Sequence, residues 1–197
     1  MLRTAPTTEI RVPMYRVLTI FLLAAFTLSV SAASRTELNA NIRAAITELK
    51  TNPAADELAQ ASAGMLVFPK VVKGGFIVGG EYGKGALLVG GNIIQYYRLA
   101  SVSVGFQAGG QARSRVLLFM TPAALEEFRD SDGWEVGVDG SITAIQFGVD
   151  KQIDTNTMRD PIIGFTFKNK GLMGGVSFEG SKFWKDRNPV PKKLASI

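Results

Sequence analysis

Residues 73–88 read KGGFIVGGEYGKGALL, with six glycines in sixteen positions and two lysines among them. Two kinds of chemistry suit such a stretch. A glycine-rich loop can cradle phosphate with its backbone N–H groups, and a carboxylate beside it can act as acid or base. A phosphate loop of the G-x-x-x-x-G-K-[ST] kind needs serine or threonine after its lysine and a helix beyond. Here Lys84 is followed by Gly85, and Ala86 to Gly91 stays glycine-broken rather than helical. The G-x-G-x-x-G dinucleotide pattern also lacks its βαβ context. The stretch therefore reads as strand (Gly75–Glu81), turn (Tyr82–Gly85) and strand (Ala86–Val89), with glycine serving turns and close strand approach.

Glu81 ends one glycine-laced strand, and Glu179, in SFEG, ends another. The two could form an acid–base pair, bond backbone donors at turns, or pair with Lys73 or Lys170. The chain has no histidine and no cysteine, which excludes Ser-His-Asp, thiolate and histidine–zinc chemistry. We expect no catalysis, no cofactor and no metal.

The lysines form a different constellation. Lys70, Lys73 and Lys84 surround the first glycine stretch, and Lys168, Lys170, Lys182 and Lys185 lie near the last. Gathered on one rim they would meet anionic lipid headgroups; spread along strand edges they would only block sheet-to-sheet pairing. Phe183-Trp184, between Lys182 and Lys185, suits an interfacial anchor or a cap on a barrel end. Glycines aligned on one strand face leave a groove for an acyl chain or peptide, or room for a closely packed helix.

The elements that must position these residues follow from capping and periodicity. Ser34-Arg35-Thr36-Glu37 has the form of a capping box, and Leu38, Ile42, Ala45, Ile46 and Leu49 follow at helical spacing. That stripe could meet a membrane or pack on the core. Asn52-Pro53 stops this helix and starts another, which Gly64 ends. Pro69 marks the following apolar run as an edge strand or a strand end. Val102, Val104, Phe106 and Ala108 alternate with Ser101, Ser103, Gly105, Gln107 and Gly109, the mark of a half-buried strand. Ser114–Met120 reads as a central strand, and Thr121-Pro122 opens a short helix ending near Asp132-Gly133. Strands are expected at Trp134–Val138, Ile142–Val149, Ile163–Phe167 and Leu172–Gly180, with a turn at Lys168–Gly171 and a polar loop over Asp150–Pro161. About eight strands with two or three helices make an α+β fold. Its sheet should be strongly coiled and mainly antiparallel, or a partial β-barrel with the helices packed on it.

The start of the chain has a separate purpose. Arg16, the apolar run Val17–Leu28 and the small residues Ala32 and Ala33 form a secretory signal pattern, with residues 1–33 removed near Ala32/Ala33. The run is about 12 residues, short of the ~20 a membrane span needs, although retention as an anchor is the alternative. Either Met1 or Met14 can be the initiator. Beyond residue 33 the chain carries 19 basic and 16 acidic residues, net +3. That allows weak attraction to anionic surfaces and does not mark a nucleic-acid binder. Residues 34–185 form one domain, and residues 186–197 a flexible basic tail.

Three long motifs in order, VFPKVVKGGFIVGGEYGKGALL, VGFQAGGQARSRVLLFM with the helix TPAALEEF after it, and FKNKGLMGGVSFEGSKF, resemble the SYLF domain family, over roughly Ala44 to Trp184. The resemblance implies a binding module rather than an enzyme. Its eukaryotic members associate with phosphoinositide membranes and, in fungi, with actin, through basic residues and an amphipathic segment near the domain start. Bacterial-type members are typically exported single domains. The expected function is thus an exported, periplasmic or extracellular, non-catalytic module binding anionic lipid or envelope surface. The alternative is a structural component of the envelope with a protein partner, and actin binding ranks below both.

Overall fold

In the computed structural model of the chain, residues 34–74, 78–104, 111–145, 160–168, 171–172 and 177–187 are described. Residues 38–197 group as one compact unit; of the other, residues 1–37, only 34–37 are described. Residues 34–50 are helical (α1). Ser34 already lies inside this helix, so the expected cap is not there. Ile42, Ala45 and Leu49 recur at three- and four-residue spacing, and all three are buried. The apolar stripe of α1 is therefore core. Helix α2 (Pro53–Ala61) starts as its sequence dictates: Asn52 Oδ1 accepts the Ala55 N–H at 3.1 Å, with proline in the first turn. It ends at Ser62, and Gly64 belongs to the next strand. A Cβ on Gly64 would stand 2.9 Å from Leu125 Cδ1, so this glycine serves packing rather than helix termination.

The strands are β1 (Gly64–Gly74), β2 (Val78–Val89), β3 (Asn92–Val104), β4 (Gln111–Phe119), β5 (Trp134–Glu135), β6 (Thr143–Ala144), β7 (Ile162–Lys168), β8 (Gly171–Leu172) and β9 (Ser181–Lys185), with helix α3 (Pro122–Asp130) after β4. They form one sheet in the order β5-β9-β3-β2-β1-β4-β7-β6, and β8 pairs with β7. All of these pairings are antiparallel except β6 with β7. The α+β fold with a strongly curled, half-barrel sheet is the expected one.

Further details differ from the sequence reading, among them the strand expected at Trp134–Val138, which covers only Trp134–Glu135 before a turn at 137–139. β2 runs unbroken through Tyr82–Gly85, where a turn was expected. The turn sits instead at Gly90-Gly91, whose φ values of 57° and 79° are both in the left-handed region, as a two-residue hairpin with the favoured twist requires. Pro69 lies within β1, a central strand between β2 and β4. Both ladders shift register around it, so the missing N–H falls at a bulge, and the Pro69 carbonyl accepts from Ser114 Oγ at 2.8 Å. Residues 177–180 are not strand, while Ser181–Lys185 is. Asp186, expected in the tail, continues the ladder through its N–H to the Tyr96 carbonyl at 2.8 Å. The expected strand segments at 146–149 and 173–176, and the center of the turn at 169–170, lie outside the described residues.

Each face of the sheet carries a core. On one, Ile42, Ala45 and Leu49 of α1 and Ala55 and Leu58 of α2 pack with Val67, Ala86, Val116, Leu118 and Phe165. Tyr96 Oη ties α1 to β3 by donating to Asn39 Oδ1 at 3.1 Å. On the other, α3 packs with Leu66, Phe68, Leu99, Leu117 and an aromatic group centered on Phe128. The Phe128 ring lies 4.9 Å from Phe119, 5.0 Å from Tyr97 and 5.7 Å from Trp134. Burial pushes the Tyr97 phenol up to about 12, although nearby Arg129 pulls it down. No described helix is long and apolar enough to cross a membrane.

Candidate functional site

The register of four adjacent strands creates a row that their separation in sequence conceals. Lys70 on β1 faces Lys84 on β2, Lys84 faces Arg98 on β3, and Arg98 faces Trp184 on β9. Directly opposed residues share a sheet face, so the four side chains line up on the α1/α2 face, beyond the part the helices cover. Like charges directly opposite one another destabilise a sheet. Among the described residues neither Lys70 nor Lys84 has an ion-pair partner. Arg98 does: its Nε and Nη2 donate to Asp186 Oδ2 and Oδ1 at 3.2 and 3.4 Å. That carboxylate holds the Arg98 pKa above its usual value, through the hydrogen bond and then the charge.

The next row on the same face is Val72, Tyr82, Ala100 and Lys182, and beyond it Gly80 faces Val102. Val72 and Tyr82 are 44% exposed and Val102 70%. Of the alternation expected at Ser101–Gly109, the described pair has the inverted sense, with Ser101 buried and Val102 facing solvent, while residues 105–109 lie outside the described residues. β2 does the same with buried Glu81 and exposed Tyr82. Lys182 is exposed and reaches Glu135 Oε2 at 3.4 Å.

Of the lysines picked from the sequence, Lys70, Lys84 and Lys182 thus share one face with Trp184. Lys73 falls on the other face, opposite Glu81, and Lys185, half-buried, falls there opposite Tyr97. Lys168 ends β7, which β4 separates from β1. Its side chain, and Lys170 altogether, lie outside the described residues. Arg98 was missed because nothing local distinguishes a lone arginine in a strand; only the register does.

The opposite face handles charge differently. Glu81, 4% exposed, pairs with Arg115 Nη2 at 2.5 Å and Arg113 Nη2 at 3.4 Å, and accepts from Ser101 Oγ at 3.4 Å. Arg115 also donates from Nη1 to Ser181 Oγ at 3.2 Å and stacks 5.1 Å from the Phe178 ring centroid. Its contacts join β4 to β9, four places along the sheet order, so this face is the inside of the curl. Burial holds the Arg115 pKa below its usual value, with the Glu81 charge raising it and Arg113 lowering it as smaller effects. Arg115 Nε and Thr166 Oγ1, buried on register-paired residues, have no hydrogen-bond partner among the described residues. Both Glu81 oxygens are engaged, whereas Glu179 lies exposed in a turn, its N–H donating to Ser177 Oγ at 3.0 Å. Glu81 thus holds strands together, and Glu179 is not among its partners.

The glycines answer the groove question. A Cβ on Gly85 would run into the Val67 carbonyl and come within 2.6 Å of the Phe68 ring, and one on Gly164 would meet the Phe178 ring at 2.5 Å. At these two glycines aromatic rings occupy the space, so neither leaves a groove. Among the described residues no group of three or more potential metal ligands occurs.

No curated protein matches the chain. Residues 100–189, from within β3 to just beyond β9, match the family model described as Ysc84, Las17-binding protein actin regulator. This is the SYLF family that the glycine-rich motifs resemble, a family of binding modules, and the chain is similar to it over this span, just under half of its length.

Proposed function

We propose that the protein is an exported, non-catalytic module that attaches to an anionic lipid or envelope surface through the Lys70–Lys84–Arg98–Trp184 row. The observation that carries this reading is the like-charged Lys70–Lys84 pair, held face to face on a solvated sheet with no acidic partner among the described residues. Such an arrangement is a local cost that an anionic surface relieves. Trp184, at the end of the row, has the amphipathic ring favoured at membrane–water interfaces. The net charge beyond residue 33 has the matching sign, and export would part the chain from actin.

Vesicle sedimentation tests the reading, using the chain from Ser34 onward. The described core residues run from Ile42 to Phe183, so this chain retains all of the described packing. Binding to phosphatidylcholine–phosphatidylglycerol vesicles should exceed binding to phosphatidylcholine alone and weaken as salt rises. Each basic residue near such a surface is worth about 1 kcal/mol, so Lys84→Glu should lower partitioning roughly 30-fold at low salt. Equal binding to neutral and anionic vesicles at low salt would sink the proposal. Retention of a protein from detergent-treated envelope extract, with no vesicle binding, would favour the structural alternative.

A further inference from the structure

Three neighbouring strands share a pattern that folding alone does not favour. At the same end of β1, β2 and β3, the polar residue points inward and the apolar one outward. Lys73, Glu81 and Ser101 form one row, continued by Ser181 on β9, while Val72, Tyr82 and Ala100 form the row that faces out, continued on β9 by Lys182, whose charge Glu135 answers. A shift of one residue would exchange the two faces, yet the register is fixed by the Glu81–Arg115 pair inside and the Gly90-Gly91 hairpin at the far end. Val102 stands 70% exposed opposite Gly80, where an added Cβ would meet nothing closer than the Ser101 carbonyl at 3.9 Å. The outward apolar residues are thus adjacent, unshielded and set beside a cation row.

We infer that this face is an insertion surface for an anionic lipid bilayer, with Val72, Tyr82 and Val102 entering the boundary of the acyl region while Lys70, Lys84 and Trp184 stay at the headgroups. The inference rests on the lipid-binding reading above and adds how the contact is made. Successive same-face rows lie two residues apart, about 7 Å along a strand. That spacing puts Val72 and Tyr82 below the cation row by roughly the depth, ~5–10 Å, at which amphipathic elements lie in an interface, and Val102, one row further, about 14 Å below it. A soluble phosphate ester would satisfy the lysines but leave Val72, Tyr82 and Val102 in water. A symmetric pairing of two copies through this face would set uncompensated lysines near their own copies. A bilayer with acidic headgroups satisfies both the charge and the apolar row.

The absence of native cysteine makes the test specific. Val102→Cys and, as a control, Val138→Cys, which is 76% exposed in the turn after β5, are each labelled with an environment-sensitive fluorophore in the chain from Ser34. On phosphatidylcholine–phosphatidylglycerol vesicles carrying acyl-chain nitroxides, the label at position 102 should shift to the blue and be quenched, and that at 138 should stay aqueous. Val102→Asp should lower partitioning by about tenfold or more, since it exchanges an apolar side chain for a charge at the apolar boundary, with its urea midpoint unchanged. Inositol hexakisphosphate should compete only partially. Vesicle binding with an aqueous label at 102, or complete competition by inositol hexakisphosphate, overturns insertion while leaving headgroup binding in place. Failure of the unmodified chain to bind any anionic vesicle removes the lipid reading itself. A dimer in sedimentation that buries the label at 102 without lipid assigns the face to a second copy instead.

Discussion

Glu81 and Tyr82 are adjacent in β2 and point to opposite sides of one sheet. On the inner side, charge is enclosed and answered: one carboxylate meets two guanidinium groups, with serines and an aromatic ring around them. On the outer side, Lys70, Lys84 and Arg98 stand in a row with, among the described residues, only Asp186 as an acidic partner, Lys182 beside them pairs with Glu135, and the neighbouring apolar residues face solvent. Enclosed charge acts on stability, because an unpaired ion there has nowhere to be solvated. Displayed charge adds little to stability and remains available to something outside. The same strands therefore divide their labour by parity.

That division can be broken from either side. The largest effect is expected inside: Arg115→Met leaves Glu81 buried with only the longer Arg113 and Ser101 contacts and should cost about 3–5 kcal/mol in urea unfolding. Glu81→Gln/Arg115→Met should recover part of that loss; a cost below about 1 kcal/mol for the single variant would end the argument. Next comes glycine in the same strand. Gly85→Ala drives a methyl into the Phe68 ring and should cost about 3 kcal/mol, whereas Gly80→Ala, in open space, should change unfolding by less than about 0.5 kcal/mol. The inner face should also answer to alkali. The folded-state pKa of Tyr97, about 12, lies above the ordinary value of 10.0. Above pH 10 the unfolded chain loses this proton while the folded one keeps it, so the Tyr97 contribution is complete below pH 10 and is lost as pH rises towards 12. Denaturation midpoints across that window should fall for the native chain, and Tyr97→Phe should flatten the slope. Smallest is the outer face: Lys84→Gln should raise stability by about 0.2–1 kcal/mol by relieving the charge opposite Lys70 and Arg98, the reverse of its effect on vesicle binding.

The parts of this molecule legible in its sequence are those set by local chemistry. Asn52-Pro53 and Thr121-Pro122 start helices because a side-chain acceptor and a fixed φ suffice, and Thr121 Oγ1 does accept the Ala124 N–H at 3.2 Å. Periodicity exposed the strands but not their sense. At Ser101-Val102 the natural assumption, apolar inward, fails because the inner face there is a polar network. Arg113 and Arg115 share a face with Leu117 and Phe119, and that placement of cations at the head of an apolar run was the available sign of an inward carboxylate. Gly83 and Gly85 resembled a turn because glycine's two uses, positive φ and absent bulk, look alike in sequence; Phe68, seventeen residues earlier, decides between them. Pro69 misled in the same way, since a bulge that tolerates it is visible only in the pairing. The cation row was half legible: its lysines were noticed, but Arg98 and the alignment needed register.

The place of β9 between β5 and β3 bears on how the chain reaches this state. Gln95 bonds the Asp186 carbonyl across 91 positions of sequence, so β3 keeps an open flank until the segment around Asp186 is present. Topologies with such distant pairings acquire their structure in milliseconds to seconds rather than microseconds. Stopped-flow refolding should place this protein at the slow end, with deletion of residues 181–187 leaving an incomplete, association-prone sheet.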